Sequence, residues 1–109
     1  MVIKNTFLHS GNSGDVIGSL PAIREFYRKT GIKPILYLRK NVEAWYYDGA
    51  VHPVKNPETG KNVMLNEAMI NMLAPLLKAQ SFFEDVKTWT DEEIGCDLDQ
   101  IRETYVGLP

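Results

Sequence analysis

The segment Ser10-Gly11-Asn12-Ser13-Gly14-Asp15 narrows the possible folds most, because a run of residues that tolerate positive φ or cap helices separates a β-forming stretch from a helical one. Val2 to His9 mixes β-formers with polar residues. From Asp15 the period changes: Val16, Leu20, Ile23 and Tyr27 recur at three- and four-residue steps with Ile17 and Phe26 beside them, while Arg24, Glu25, Arg28 and Lys29 fall opposite. Pro21 predicts a kink, or a restart capped by Ser19, because proline lacks an N–H and crowds the carbonyl four residues back. Gly31 stops the helix, and Lys33-Pro34-Ile35-Leu36-Tyr37-Leu38 is an apolar run suited to a strand buried on both faces. Strand, turn, helix and buried strand make one βαβ unit with a right-handed crossover. The predicted class is therefore α/β, a Rossmann-like three-layer sandwich with a mainly parallel sheet.

Downstream, Val51-His52-Pro53-Val54-Lys55-Asn56 faces Lys61-Asn62-Val63-Met64 across Pro57-Glu58-Thr59-Gly60, which predicts a β-hairpin or extended excursion. Leu65, Ala68, Met69, Met72, Leu73, Leu76 and Leu77 give a second amphipathic helix, with Asn66 as cap and Pro75 as a bend. Phe82 to Thr90 holds a further strand centred on Val86, and Thr90-Asp91-Glu92-Glu93 fits a capping box before Gly95. At roughly 100–200 residues per domain, the 109 residues read as one domain, 1–109, with an irregular or hairpin insertion at 40–64. The apolar ending Val106-Gly107-Leu108-Pro109 suggests a chain cut from something longer.

Charge removes several function classes. With 12 Lys+Arg against 14 Asp+Glu, the chain has no basic field to neutralise nucleic-acid phosphates or to hold an anionic membrane. No run approaches the ~18 apolar residues of a membrane span, and the start Met-Val-Ile-Lys-Asn carries no secretory pattern. A single cysteine excludes an internal disulfide framework, so a reducing cytoplasm is expected.

The turn Ser10 to Gly14 is where the sequence speaks about chemistry. A small-residue turn between a first strand and a helix exposes backbone N–H groups, and with the helix dipole these favour a phosphate or a developing negative charge. It is neither a Walker A loop nor a G-x-G-x-x-G fingerprint, and it reads equally as a tight βα turn that simply needs small residues. Asp15, at the carboxyl end of the first strand, can take a proton from a substrate hydroxyl; its plainer role is to complement the helix N-terminus. His9 lines the same end or is a hydrogen-bonded structural histidine. Neither His9 nor His52 forms a metal-ligand spacing with Cys96, and no metal or cofactor is implied. Cys96 has no local support as a nucleophile. Asp91, Glu92, Glu93, Asp97 and Asp99 lack the EF-hand pattern and read as a solvated face. Trp45, Tyr46 and Tyr47 suit a partial core or an interface, and residues 45–64 are the candidate surface for self-association.

Gly14-Asp15-Val16-Ile17-Gly18-Ser19-Leu20-Pro21-Ala22-Ile23-Arg24 resembles the N-terminal motif of the heptosyltransferase family of GT-B glycosyltransferases (glycosyltransferase family 9-like), where a first strand also runs into a small-residue turn, Gly-Asp, an apolar stretch and Pro-Ala-hydrophobic-Arg. Ala74-Pro75-Leu76-Leu77 followed by Phe83-Glu84-Asp85-Val86 is similar to the family's next helix-to-strand step, and Asp97-Leu98-Asp99 to its next acidic-apolar segment. The resemblance covers residues 3–38 and, more loosely, 72–99; residues 40–64 have no counterpart. It implies an incomplete GT-B N-terminal domain in which Asp15 activates an acceptor sugar hydroxyl, and Ser10, Gly11, Asn12, Ser13 and Gly14 line the cleft near substrate and phosphates. The family's donor-binding second domain is absent from these residues.

Two classes of function follow as expectations. The first is the N-terminal, acceptor-side part of a nucleotide-sugar-dependent glycosyltransferase, inverting, with Asp15 as general base. Its partners would be a nucleotide-sugar donor and a glycan acceptor, together with a C-terminal domain or second chain, without which it is expected to be inactive. The alternative is a non-catalytic Rossmann- or flavodoxin-like module binding a nucleotide, a phosphate or a protein partner.

Overall fold

The computed structural model describes residues 4–44 and 54–98. Strand β1 (Thr6–His9) leads into helix α1 (Ser13–Thr30), followed by β2 (Ile35–Leu38), α2 (Glu67–Lys78), β3 (Asp85–Thr88) and β4 (Cys96–Asp97). The strands form one sheet in the order β3-β2-β1-β4, and every pairing is parallel. The α/β Rossmann-like expectation is met at this level.

Register places Phe7, Leu36, Val86 and Cys96 in one row, and Leu8, Tyr37, Lys87 and Asp97 in the next. Successive residues of a strand face opposite sides. Phe7, Leu36, Leu38 and Val86 share a single core cluster with Val16 and Ile23 of α1 and with Ile70, Leu73 and Leu77 of α2. Both helices therefore cover the same face, and the Phe26 ring of α1 meets Phe7 edge-on at 5.1 Å. Among the described residues this gives two layers, where the sequence reading anticipates three. Among the described residues, β3 is joined to β4 by residues 89–95, a connection shorter than the dozen residues a helical crossover needs. Thr6 ties that run down: its Oγ1 donates to the Glu93 carbonyl at 3.2 Å and accepts the Gly95 N–H at 2.9 Å. The Lys4–Glu93 ion pair lies beside it.

Helix α1 starts two residues before Asp15 and continues through Pro21, so the helix does not restart there. Pro21 and Ile17 are both exposed, so water can take the carbonyl that proline leaves without an N–H. Ser19 does not cap a restart; its hydroxyl donates back to the Val16 carbonyl at 2.6 Å. Gly31 ends the helix as expected, at φ 70, with its N–H on the Tyr27 carbonyl. Asn66 caps α2, accepting the Met69 N–H at 2.8 Å, and α2 likewise continues through its exposed Pro75. The Thr90 capping box is not made. Thr90 Oγ1 donates to Glu92 rather than engaging Glu93, and Asp91 takes φ 71, a conformation that starts no helix.

The described part of the hairpin pairs Lys55 with Asn62 antiparallel, with Val63 N–H on the Val54 carbonyl at 2.9 Å. Asn56 Oδ1 accepts the Glu58 N–H, and Gly60 supplies the left-handed residue at φ 73. Buried Val63 and Leu65 anchor this excursion to the body of the protein. The readings placed on Trp45, Tyr46, Tyr47, His52 and Asp99 fall outside the described residues.

Candidate functional site

Strands β1, β2 and β3 advance in one direction across the sheet and β4 returns to the other side of β1, so the connectivity switches direction between β1 and β4. Open parallel sheets bind ligands outside the carboxyl ends of the strands at such a point. The turn that leaves β1 at this edge is residues 10–12, carrying the chain into α1.

Its geometry is set by side chain-to-backbone hydrogen bonds. Asn12, in extended conformation, is the N-cap: its Oδ1 accepts the Asp15 N–H at 2.9 Å and its carbonyl accepts the Val16 N–H at 3.0 Å. Gly11 N–H donates to His9 Nδ1 at 2.9 Å. That bond requires an unprotonated Nδ1, so neutral His9 carries its proton on Nε2. His9 is only 3% exposed, so its ring is a fixed wall of the turn.

Asp15 stands half-buried in the first turn of α1, where its charge complements the helix dipole. Its side chain and the His9 ring both close on the space a Gly11 side chain would fill. A Cβ built on Gly11 would lie 2.7 Å from His9 Cε1, 2.8 Å from Asp15 Cβ and 2.9 Å from Asp15 Oδ2, so no side chain fits there. The requirement for glycine is therefore one of space, because Gly11 is not among the glycines with positive φ. Of the other predicted site residues, Ser10 is buried beneath the turn, Ser13 is half-buried, and Asn12 and Gly14 are exposed. Ser10 to Asp15 are thus brought together at one edge of the sheet, but they are not equivalent: Gly11 and His9 brace the carboxylate, and Asn12 fills the cap.

Sequence reasoning overlooked two residues at the same edge. Arg39 follows β2 and donates its N–H to the His9 carbonyl at 3.0 Å; Trp89 follows β3 and donates its N–H to the Leu38 carbonyl at 3.0 Å. These bonds extend the ladder one step past the strands and set Arg39 beside the turn and Trp89 one strand further out. The usable signal was positional, since each directly follows an apolar strand of a parallel sheet. Among the described residues no group of His, Cys, Asp and Glu could hold a metal ion, and no helix is long and apolar enough to cross a membrane. Burial, helped by the Asp97 charge, pushes the Cys96 thiol above its ordinary value and away from a reactive thiolate. The hairpin carries an open hollow of about 370 Å³ lined by Glu43, Lys55 and Lys61, with Lys61 paired to Glu43 at 3.3 Å.

Comparison of the chain with protein-family models, with curated proteins and with solved structures finds no match.

Proposed function

We propose that the chain is the N-terminal, acceptor-side part of a cytoplasmic, nucleotide-sugar-dependent glycosyltransferase of GT-B type, with Asp15 as the general base of an inverting transfer. In that reaction the acceptor hydroxyl gives its proton to the Asp15 carboxylate as its oxygen attacks the anomeric carbon. The bond from that carbon to the nucleoside diphosphate breaks on the opposite face, and the diphosphate departs with the electron pair. The chain contributes the acceptor edge and the base. Binding of the donor and stabilisation of the leaving diphosphate fall to a second domain or chain, so the isolated 109 residues should turn over slowly or not at all.

The observation carrying this reading is the braced carboxylate at the topological switch point. His9 and Gly11 fix the turn, and Asp15 packs against it at the edge where α/β sheets meet their ligands. The same observation speaks against the alternative of a phosphate-binding module using this turn. A phosphate needs the first-turn amides and the positive end of the helix dipole; here Asn12 occupies the Asp15 amide and a carboxylate already sits at that end.

Calorimetry with nucleoside diphosphates and nucleotide-sugars, combined with transfer and hydrolysis assays on wild type and Asp15→Asn, tests the proposal. Donor binding by the isolated chain should be weak, and any turnover should fall by about 10²-fold or more in the Asn variant, the usual scale for loss of a general base. Equal turnover in the two proteins removes Asp15 as base. Micromolar nucleotide binding by the chain alone would move the assignment to the binding module.

A further inference from the structure

At the carboxyl edge of the sheet, one strand away from the Asp15 turn, the Arg39 guanidinium lies over the Trp89 ring with its carbon 4.5 Å from the ring centre. The indole is fixed in turn by its Nε1–H, which donates to the Glu92 carbonyl at 3.0 Å. Among the described residues no carboxylate pairs with Arg39. Its Nε is closed off from solvent and has no hydrogen-bond acceptor among the described residues. An indole face attracts a cation but gives an N–H in the guanidinium plane nothing to bond, so this nitrogen has lost water and gained no partner. Two residues on, Asn41 Oδ1 is also buried without a donor, on a backbone at φ 60 that few non-glycine residues adopt. Native proteins rarely leave a buried donor or acceptor unused.

We propose that Arg39 is an oxyanion-recognition residue, which rests on Trp89 until the phosphate or carboxylate group of a ligand lying along this edge draws the guanidinium off the ring. In the stacked position no oxyanion can reach Nε, so binding requires the guanidinium to slide away, and the change is felt by Trp89 itself. Arginine suits this task better than lysine because its planar fork can offer Nε–H and a neighbouring Nη–H side by side to two oxygens. The inference stands apart from the general-base reading, since no group is shared between them.

The test titrates the full chain with inorganic phosphate, and separately with citrate, against sodium chloride at matched ionic strength. Two signals are followed: the Arg39 Nε–H resonance in the natural sequence, and tryptophan fluorescence in a Trp45→Phe background, where Trp89 is the remaining one of the two tryptophans. A saturable response of both signals to phosphate or to citrate, and not to chloride, is expected, and the anion that gives it distinguishes phosphoryl from carboxylate ligands. Arg39→Met should weaken that binding by at least about 30-fold, the lower end for deleting a buried charged partner, and Arg39→Lys should restore it only in part. The Met variant should melt no lower than wild type in chloride buffer, because an apolar side chain there removes an unsatisfied group. A response to chloride equal to that for phosphate and citrate, or undiminished binding by Arg39→Met, overturns the proposal. A Met variant that melts lower while binding as wild type would make the stack purely structural.

Discussion

Gly11→Ala puts the geometry of the turn to a quantitative test. The backbone at Gly11 is not left-handed, so alanine loses nothing there by conformation, and stiffening of the unfolded chain alone would stabilise by about 0.4–1 kcal/mol. Against this stand three contacts between 2.7 and 2.9 Å, two of them with Asp15 and one with the His9 ring. His9 cannot yield, being buried and bonded to the Gly11 amide, so either Asp15 or the turn must shift. Overpacking of this kind costs about 1–3 kcal/mol, leaving a net loss of up to about 2.6 kcal/mol and centred on about 1.3 kcal/mol. Gly18→Ala is the matched control: it lies exposed in α1 with nothing within 4 Å of its added Cβ, and should gain about 0.8–1 kcal/mol of helix propensity. Urea unfolding, with a slope of about 1–3 kcal/mol/M, should place the two midpoints on opposite sides of wild type. If Gly18→Ala gains as expected and Gly11→Ala is equally stable or better, then Asp15 and His9 do not close on Gly11 and the bracing of the carboxylate is wrong.

Three further outcomes follow from single side chains. Asp85 responds to pH: partial burial raises its carboxyl, but the Val86 N–H together with Lys78 and Lys87 pulls it net below its ordinary value. A carboxyl lowered on folding stabilises above its unfolded value near ~3.9 and loses that contribution as pH falls through the folded one. Asp85→Asn should therefore lower stability at pH 7 by under ~1 kcal/mol, given the exposed cationic partners, and flatten the acid limb of a melting-temperature profile; an unchanged limb would refute it. Asn12→Ala removes the cap of α1 and should lower the unfolding free energy by about 0.5–2 kcal/mol in the same urea assay, whereas Asn12→Gly should lose only a few tenths. Cys96 should react with a thiol-specific disulfide reagent at pH 8 more slowly than in the urea-unfolded chain, and a faster native rate would contradict its raised thiol.

Where local chemistry was sufficient, the sequence could be read directly. Gly31 and Asn66 terminate or begin helices through one residue's backbone freedom or one side-chain oxygen, and both act as their types require. The apolar run ending at Leu38 was visible because burial on both faces of a parallel sheet demands consecutive apolar residues, whereas β3, Asp85–Thr88, buries Val86 alone and was legible only as a stretch centred on that residue. Pro21 misled because the penalty for an interior proline depends on whether the freed carbonyl meets water, which is a matter of which side of the helix faces the core. Thr90 misled for a similar reason, as a capping pattern competes with the turn that residues 89–95 need in order to cross the sheet.

The turn at residues 10–15 belongs to both levels. Its small residues were legible as a turn, and Asp15 as the acid at its end, from type and spacing alone. That Gly11 is required for space rather than for φ and that His9 holds its amide are contacts within residues 9–15 that take shape only in the folded turn, whereas both helices sharing one face arises from elements far apart in the chain. The pairing of Arg39 with Trp89 is of the same kind: β2 and β3 must first align in register before their next residues can meet. Sequence determines what each segment prefers through short-range sterics and hydrogen bonding. Only the folded chain decides which residues become neighbours, because contact across strands follows from burying one continuous core.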